Sequence, residues 1–322
     1  MGEKQLKKKI NLSIVIPVYN GALTIGNLVH RLIEELSQFT LEIILVNDHS
    51  RDHSEIVCIE IQRKYPQIVS FYSLAKNVGE HNAVLSGLNQ ASGDYIVIMD
   101  DDFQNPPSEV KKLISEAMHH EYDVIYTYYD KKRHTNFRNV GSWFNDKVAN
   151  IMLKKPKDLY LSSFKLINKF LANEIIKYKS PFPYIDGLIL QITDNIGKVQ
   201  VEHHERKEGR SNYTIKKLIS LWINMFTNFS IIPLRVSIIL GFIFSFYGLI
   251  YGIFIMIERI LNPNMAPGMA SLIVTVSILA GVQLIAIGMI GEYVGRIFIS
   301  QNKKPQYTIK KQYRRTIQPQ SK

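Results

Sequence analysis

The stretch Tyr95-Ile96-Val97-Ile98-Met99-Asp100-Asp101-Asp102-Phe103-Gln104-Asn105-Pro106-Pro107 decides how the rest of the chain is read. A strand-length apolar run ends in three carboxylates, and Pro106-Pro107 introduce Val110, Leu113, Ile114, Ala117 and Met118. That spacing puts the five on one helix face, with Ser108 at the capping position. A strand, an acidic turn and a helix in this order put the acids at the carboxyl edge of a sheet, where open α/β folds bind ligands. Three adjacent like charges repel one another unless a cation neutralises them. Asp100 and Asp102 point to the same side, a spacing suited to a hard divalent ion that also holds substrate phosphates.

Working outward, Leu12–Val18, Glu42–Val46, Ile68–Leu74 and Asp123–Tyr128 are further apolar runs of strand length. Ile25, Leu28, Val29, Leu32, Ile33 and Leu36 repeat at helical spacing between the first two. Near-continuous apolar strands alternating with helices predict an α/β domain, its mostly parallel sheet covered on both faces.

The texture changes after Pro233. Val236–Ile257 and Ala270–Gly291 carry no charge, and each exceeds the ~20 residues that span hydrocarbon. Their glycines (Gly241, Gly248, Gly252, Gly281, Gly288, Gly291) suit close helix packing. The short linker holds one basic residue, Arg259, whereas Lys216, Lys217, Arg235 and Arg296 flank the pair. The positive-inside rule then keeps both flanks, and the domain before them, in the cytoplasm. Leu218, Leu221, Trp222, Met225, Phe226 and Phe229 make an amphipathic face suited to the membrane interface. The expected organisation is a basic arm (1–10), a catalytic domain (11–212), a juxtamembrane segment (213–232), a two-helix hairpin (233–299) and a basic tail (300–322).

The formal net charge of +11 resides in the two ends. Met1–Ile10 holds four lysines against Glu3, and Ser300–Lys322 holds seven basic residues and no acid, so the sequence between is nearly neutral. That argues against a nucleic-acid surface on the fold and for a tail that meets anionic headgroups. Cys58, the single cysteine, permits no disulfide or cysteine-based zinc site and reads as a buried, inert thiol. No secretory signal is visible, because the apolar run after the basic start is too short. G-x-G-x-x-G, the phosphate-loop motif, H-E-x-x-H and G-x-S-x-G are all missing. The adjacent pairs His119-His120 and His203-His204 diverge in a strand and make no ready metal site.

Four strand-end motifs, taken together, resemble family 2 glycosyltransferases of GT-A fold: Pro17-Val18-Tyr19-Asn20, Val46-Asn47-Asp48-His49-Ser50, Asn77-Val78-Gly79 and Asp100 to Pro107. The D-x-D-x-Q-x-P-P pattern with a carboxyl-terminal hairpin is similar to the polyprenyl-phosphate branch, which includes dolichol-phosphate mannose synthases and bacterial undecaprenyl-phosphate sugar transferases. The resemblance covers about residues 11–300. It implies that Pro17, Tyr19, Asn20, Asp48, Asn77 and Asp101 bind the nucleotide. Asp100, Asp102 and Gln104 would hold Mg²⁺ or Mn²⁺ against the donor diphosphate. Arg138 and Ser142, in an R-x-x-x-S match, would hold the lipid phosphate, and Arg206, Arg210 and Ser211 would close over the diphosphate. It also implies a bacterial inner-membrane enzyme with both termini cytoplasmic, assembled as a homo-oligomer, a tetramer in the family.

Departures are visible. Asn47-Asp48 replaces an Asp-Asp pair, and Ser162-Ser163-Phe164-Lys165 replaces S-G-F-R. Tyr128 stands where some members carry arginine; Lys131, Lys132 or Arg133 supplies that charge, and Arg133 joins the acceptor-phosphate set. Asp158 is one residue out of register with the family's acid. The implied reaction is inverting transfer of one sugar from a nucleotide donor, UDP favoured over GDP, to undecaprenyl phosphate. Two alternatives stay open: a GT-A enzyme with another acceptor, and a non-catalytic membrane scaffold.

Overall fold

A computed structural model describes residues 10–129, 155–156, 159–202, 232–262, 268–302 and 304–316. The chain divides into two compact units, residues 1–213 with 303–322, and residues 214–302.

The first unit is built on β1 (Asn11–Val18), β2 (Thr40–Asn47), β3 (Val69–Leu74), β4 (Tyr95–Ile98), β5 (Val124–Tyr128), β6 (Lys165–Asn168), β7 (Ile196–Gln200) and β8 (Ile309–Tyr313). They form one mixed sheet in the order β7-β5-β6-β4-β1-β2-β3-β8. β1 through β4 are mutually parallel, while β6 runs antiparallel to β4 and β5, and β8 antiparallel to β3. The first five strands match the apolar runs in the sequence; β6, β7 and β8 are additions that the sequence does not announce.

The helices of this unit are α1 (Ile25–Glu35), α2 (Ser54–Lys64), α3 (Glu80–Leu88), α4 (Glu109–His120), α5 (Lys169–Ile175) and α6 (Ile185–Ile192). Ile25, Leu28, Val29 and Leu32 of α1, Cys58 and Ile61 of α2, and Val110, Leu113, Ile114 and Ala117 of α4 share one apolar core with alternate strand residues such as Ile14, Ile16, Ile43, Leu45 and Val97. α3 packs on β1 and β2 through residue 87, where a side chain's Cβ would come within 2.4 Å of Val15 Cγ1, so the position is glycine. Cys58 is fully buried, and desolvation pushes its thiol far above the ordinary range, so it is inert.

Two expectations are corrected. Ser108 occupies the cap position of α4 but makes no side-chain capping bond; the first turn instead closes on the Pro106 and Pro107 carbonyls. His119 and His120 lie in the last turn of α4, not in a strand, with His119 Nδ1 2.7 Å from the Ser115 carbonyl and His120 beside Glu116.

The second unit contains α7 (Ile232–Leu261) and α8 (Met269–Gln301). Leu234–Leu261 and Ile278–Gln301 are long and apolar enough to cross a membrane, with mean hydropathy 2.3 and 1.6, and neither is buried by protein. Apolar side chains such as Phe242, Phe246, Leu284 and Ile287 are open around both helices, a surface that water does not tolerate at this extent. The juxtamembrane segment, apart from Ile232, lies outside the described residues.

The basic tail is also corrected. Residues 309–313 are not a free arm but the edge strand β8 of the eight-stranded sheet. Lys311 pairs with Glu55 and Arg315 with Glu42, so neither charge is free for lipid headgroups.

Candidate functional site

The strand order makes the site. From β1 the chain winds outward through β2 and β3, then returns to β4 on the other side of β1. The order therefore reverses direction between β1 and β4, and the carboxyl edge at such a switch point is where open α/β sheets bind ligands. Four loops there carry left-handed backbone: Asn20 (φ 57°), His49 (φ 54°), Gly79 (φ 88°) and Phe103 (φ 62°). Gly79 adopts this without penalty, whereas the three with side chains cost stability, and such residues collect where loop geometry serves binding.

Side chains stitch these loops together. Asp101 Oδ2 accepts from the Tyr19 backbone N–H at 3.3 Å. The same carboxylate lies against Gly21, where an added Cβ would be 2.1 Å from it. Asp101 thus turns toward the β1 loop. Asn20 N–H donates to Ser50 Oγ at 3.0 Å, and Asn20 Oδ1 accepts from Arg51 N–H at 2.9 Å. Buried Asp48 accepts the backbone N–H groups of Val78 at 2.7 Å and Gly79 at 2.9 Å, one on each oxygen. Burial raises its pKa, and these two amides oppose that shift. Asn77 Nδ2 reaches back to the Asp48 carbonyl at 3.0 Å. Pro17 lies within β1, paired with Val46.

Asp100 and Asp102 lie in the turn after β4, on either side of Asp101. Asp102 Oδ1 accepts from the Gln104 backbone N–H at 3.1 Å, which orders the turn after the acids. Asp100 Oδ2 accepts a 2.6 Å hydrogen bond from Ser163 Oγ. β6 explains that contact: Lys165 pairs with Ile98 in an antiparallel ladder, so continuing the register sets Ser163 opposite Asp100. Burial, with Glu80 and Asp102 nearby, pushes the Asp100 carboxyl up to about 7. Desolvation raises Glu80 as well.

A second polar group lies beneath the acids. Lys165 forms a buried ion pair with Asp186, which also accepts from the Tyr126 hydroxyl at 2.8 Å. Lys165 Nζ lies 5.1 Å from the Tyr126 ring centre. His81 meets Tyr184 edge-on at 5.0 Å, and burial lowers its pKa to about 4. Ser162 accepts from Thr127 at 2.8 Å and lies 3.2 Å from Tyr129 Oη, which also donates to Asn105. Ser163, Lys165, Glu80 and Asp186 were not singled out as site residues by sequence; the only signal was the Ser162-Ser163-Phe164-Lys165 departure.

The donor set fits a divalent ion of one kind. Among the described residues no cluster of three or more His, Cys, Asp or Glu can cage a metal. Two nearby carboxylates, one of them raised chiefly by burial and then by its acidic neighbours, suit a hard cation that takes its remaining ligands from water and a diphosphate. Lys131, Lys132, Arg133, Arg138, Ser142, Asp158, Arg206, Arg210 and Ser211 lie outside the described residues.

Comparison with known proteins gives the same fold and a lineage. The chain is 29% identical over 319 residues to the undecaprenyl-phosphate 4-deoxy-4-formamido-L-arabinose transferase of Photorhabdus laumondii, covering 97% of this chain and 96% of that protein. It is 29% identical over 308 residues to the SfII prophage-derived bactoprenol glucosyl transferase of Shigella flexneri, covering 95% and 99%. The crystal structure of Mycobacterium tuberculosis glucosyl-3-phosphoglycerate synthase with Mn²⁺, uridine diphosphate and glucosyl-3-phosphoglycerate superposes with a TM-score of 0.51 at 18% identity, over 68% of this chain and 78% of that one. This is a GT-A-like architecture. The profile of "Glycosyl transferase family 2" matches residues 13–176, half of the sequence and every strand-end loop just described, and the chain belongs to that family.

Proposed function

We propose that this protein is a membrane-anchored, metal-dependent, inverting glycosyltransferase that moves one sugar from a nucleotide-sugar, best read as a UDP-sugar, to undecaprenyl phosphate. The observation that carries the reading is similarity over nearly the whole chain, hairpin included, to transferases named for undecaprenyl phosphate and bactoprenol, joined to the Asp100–Asp102 pair at the carboxyl edge of the sheet. A scaffold that had lost catalysis has no use for crowded carboxylates held by Ser163.

The nucleotide would lie across the loops after β1, β2 and β3, bordered by Pro17, Tyr19, Asn20, Asp48 and Asn77. Asp101 serves that side by bracing the Tyr19–Gly21 backbone. Asp100 and Asp102, with Gln104 on the same turn, would hold Mg²⁺ or Mn²⁺. When bound, such an ion offsets negative charge on the leaving diphosphate and makes a protein acid unnecessary. Arg206, Arg210 and Ser211 would close over the same diphosphate. Arg138, Ser142 and Arg133 would orient the acceptor; a guanidinium fork suits a phosphate monoester better than a neutral hydroxyl. That phosphate is largely ionised near neutral pH, with a second pKa of about 6 in phosphoserine, so it needs placement and no general base. Its oxygen bonds to the anomeric carbon as the bond to the nucleotide diphosphate breaks on the opposite face, which inverts that centre.

β8 supports the membrane topology. It follows the second apolar helix, yet it is hydrogen-bonded to β3, which precedes the first. Both ends of the hairpin then lie on one side of the bilayer, and the catalytic unit with both termini is cytoplasmic in this reading. The test of the function is a panel of labelled nucleotide sugars offered to the full-length protein with undecaprenyl phosphate and Mg²⁺. An organic-extractable, mild-acid-labile product with one of them is expected. Label appearing only in polymer, or no transfer from any donor, would overturn it.

A further inference from the structure

β8 is fastened at two places, and the two differ in what lies behind them. Toward the amino edge of the sheet, Arg315 pairs with Glu42 at 2.6 Å and donates to Ser92 at 2.9 Å. Glu42 is nearly buried and also takes Ser13 and Ser92, far from the strand-end loops. Toward the carboxyl edge, Lys311 Nζ pairs with Glu55 Oε1 at 2.6 Å, in the first turn of α2. Phe71 and Tyr313 stack between them at 6.1 Å.

The second fastening leads somewhere. Glu55 Oε2 accepts from Ser73 Oγ at 2.7 Å. Ser73 Oγ in turn accepts from Asn47 Nδ2 at 3.3 Å. Asn47 Oδ1 accepts the Ser50 backbone N–H at 3.1 Å, and Ser50 Oγ accepts the Asn20 N–H at 3.0 Å. An unbroken chain of polar contacts therefore runs from the last strand to the two loops that border the nucleotide. Ser73 and Asn47 are almost completely buried, so a disturbance at Glu55 has no water to absorb it along that path. The Lys311 contact is the main influence holding the Glu55 carboxyl below its ordinary pKa, and its geometry fixes the carboxylate whose other oxygen takes the Ser73 hydroxyl.

We propose that Lys311 is a positioning residue for the donor site: the C-terminal strand, through Glu55, Ser73 and Asn47, holds the 47–51 loop in the geometry that binds the nucleotide-sugar. This rests on the transferase reading above. The chain that leaves the catalytic unit for the apolar helices thus returns to complete the donor site. Lys311 and Glu55 are both partly open to solvent, so the effect is modest; an exposed pair contributes up to about 1 kcal/mol, roughly a fivefold change.

The test compares Lys311→Met, Lys311→Arg and Arg315→Met in the full-length protein. Lys311→Met is expected to raise the KM for the nucleotide-sugar about two- to fivefold, with the KM for undecaprenyl phosphate and the melting temperature little changed. Lys311→Arg restores the donor KM. Arg315→Met, which loosens the same strand at its other anchor, lowers the melting temperature and leaves the donor KM alone. Hydrogen exchange at residues 48–51 supplies a readout independent of turnover: it rises in Lys311→Met and not in Arg315→Met. A donor KM and loop exchange unchanged by Lys311→Met, or raised equally by both variants, would show that β8 is only a staple. A wild-type protein that transfers no sugar while its loop exchange still responds to Lys311 would instead overturn the transferase reading alone.

Discussion

Ser163 Oγ donates a 2.6 Å hydrogen bond to Asp100 Oδ2 across 63 positions of sequence. It fixes the orientation of a carboxylate that burial and acidic neighbours would otherwise drive toward the protonated form. A hydrogen bond to a charged group contributes about 1.5–3 kcal/mol. Ser163→Ala should therefore lower kcat/KM by roughly ten- to a hundredfold and raise the Mg²⁺ concentration needed for half-maximal activity, while Ser163→Thr retains most activity. Steady-state kinetics at several Mg²⁺ concentrations check this. Unchanged kinetics in Ser163→Ala would show that the contact does not orient the acid.

Asp48 plays a different part, because each of its oxygens is occupied by a backbone amide of the β3–α3 loop. Asp48→Asn keeps the shape but turns an NH₂ group toward one of those N–H donors. A loss of about 1–3 kcal/mol in unfolding free energy is expected, together with weaker nucleotide binding. Urea melts and nucleotide titration measure the two effects. A variant as stable as the wild type would refute the loop-clamping role.

His81 gives a pH signature. Its folded pKa is lowered to about 4 from 6.5, chiefly by burial; Lys165 reinforces the shift and Asp186 opposes it. Between those values the unfolded chain binds more protons than the folded one, so stability falls as pH drops from about 6.5 toward 4. His81→Gln should flatten that limb of the urea-midpoint profile. Identical acid limbs in both proteins would place His81 in solvent.

The central strands were legible because parallel strands buried on both faces must be apolar throughout: Leu12–Val18 and Ile68–Leu74 can hardly be read otherwise. β8 was hidden for the opposite reason. An edge strand needs charge to stay soluble and unpaired with other chains, so Ile309-Lys310-Lys311-Gln312-Tyr313 reads as a polar tail, although Ile309 and Tyr313 face inward. β6 is only four residues long, and its register, not its composition, delivers Ser163 to Asp100. Asp100, Asp102 and the loop residues Asn20 and Asp48 were visible as strand-end motifs. Lys165 and Asp186 were not, since a buried ion pair formed across 21 residues has no local spacing to betray it.

The central claim is that the Asp100–Asp102 turn uses a divalent ion to move a sugar onto a polyprenyl phosphate. The most direct measurement is label transfer from the nucleotide-sugar into the organic phase by wild type, Asp100→Ala and Asp102→Ala, each with Mg²⁺ and with chelator. The account predicts robust transfer by wild type with Mg²⁺ and loss of about two orders of magnitude or more, roughly 3 kcal/mol, on chelation or in either folded variant. Near-normal transfer by both variants in chelator would contradict it.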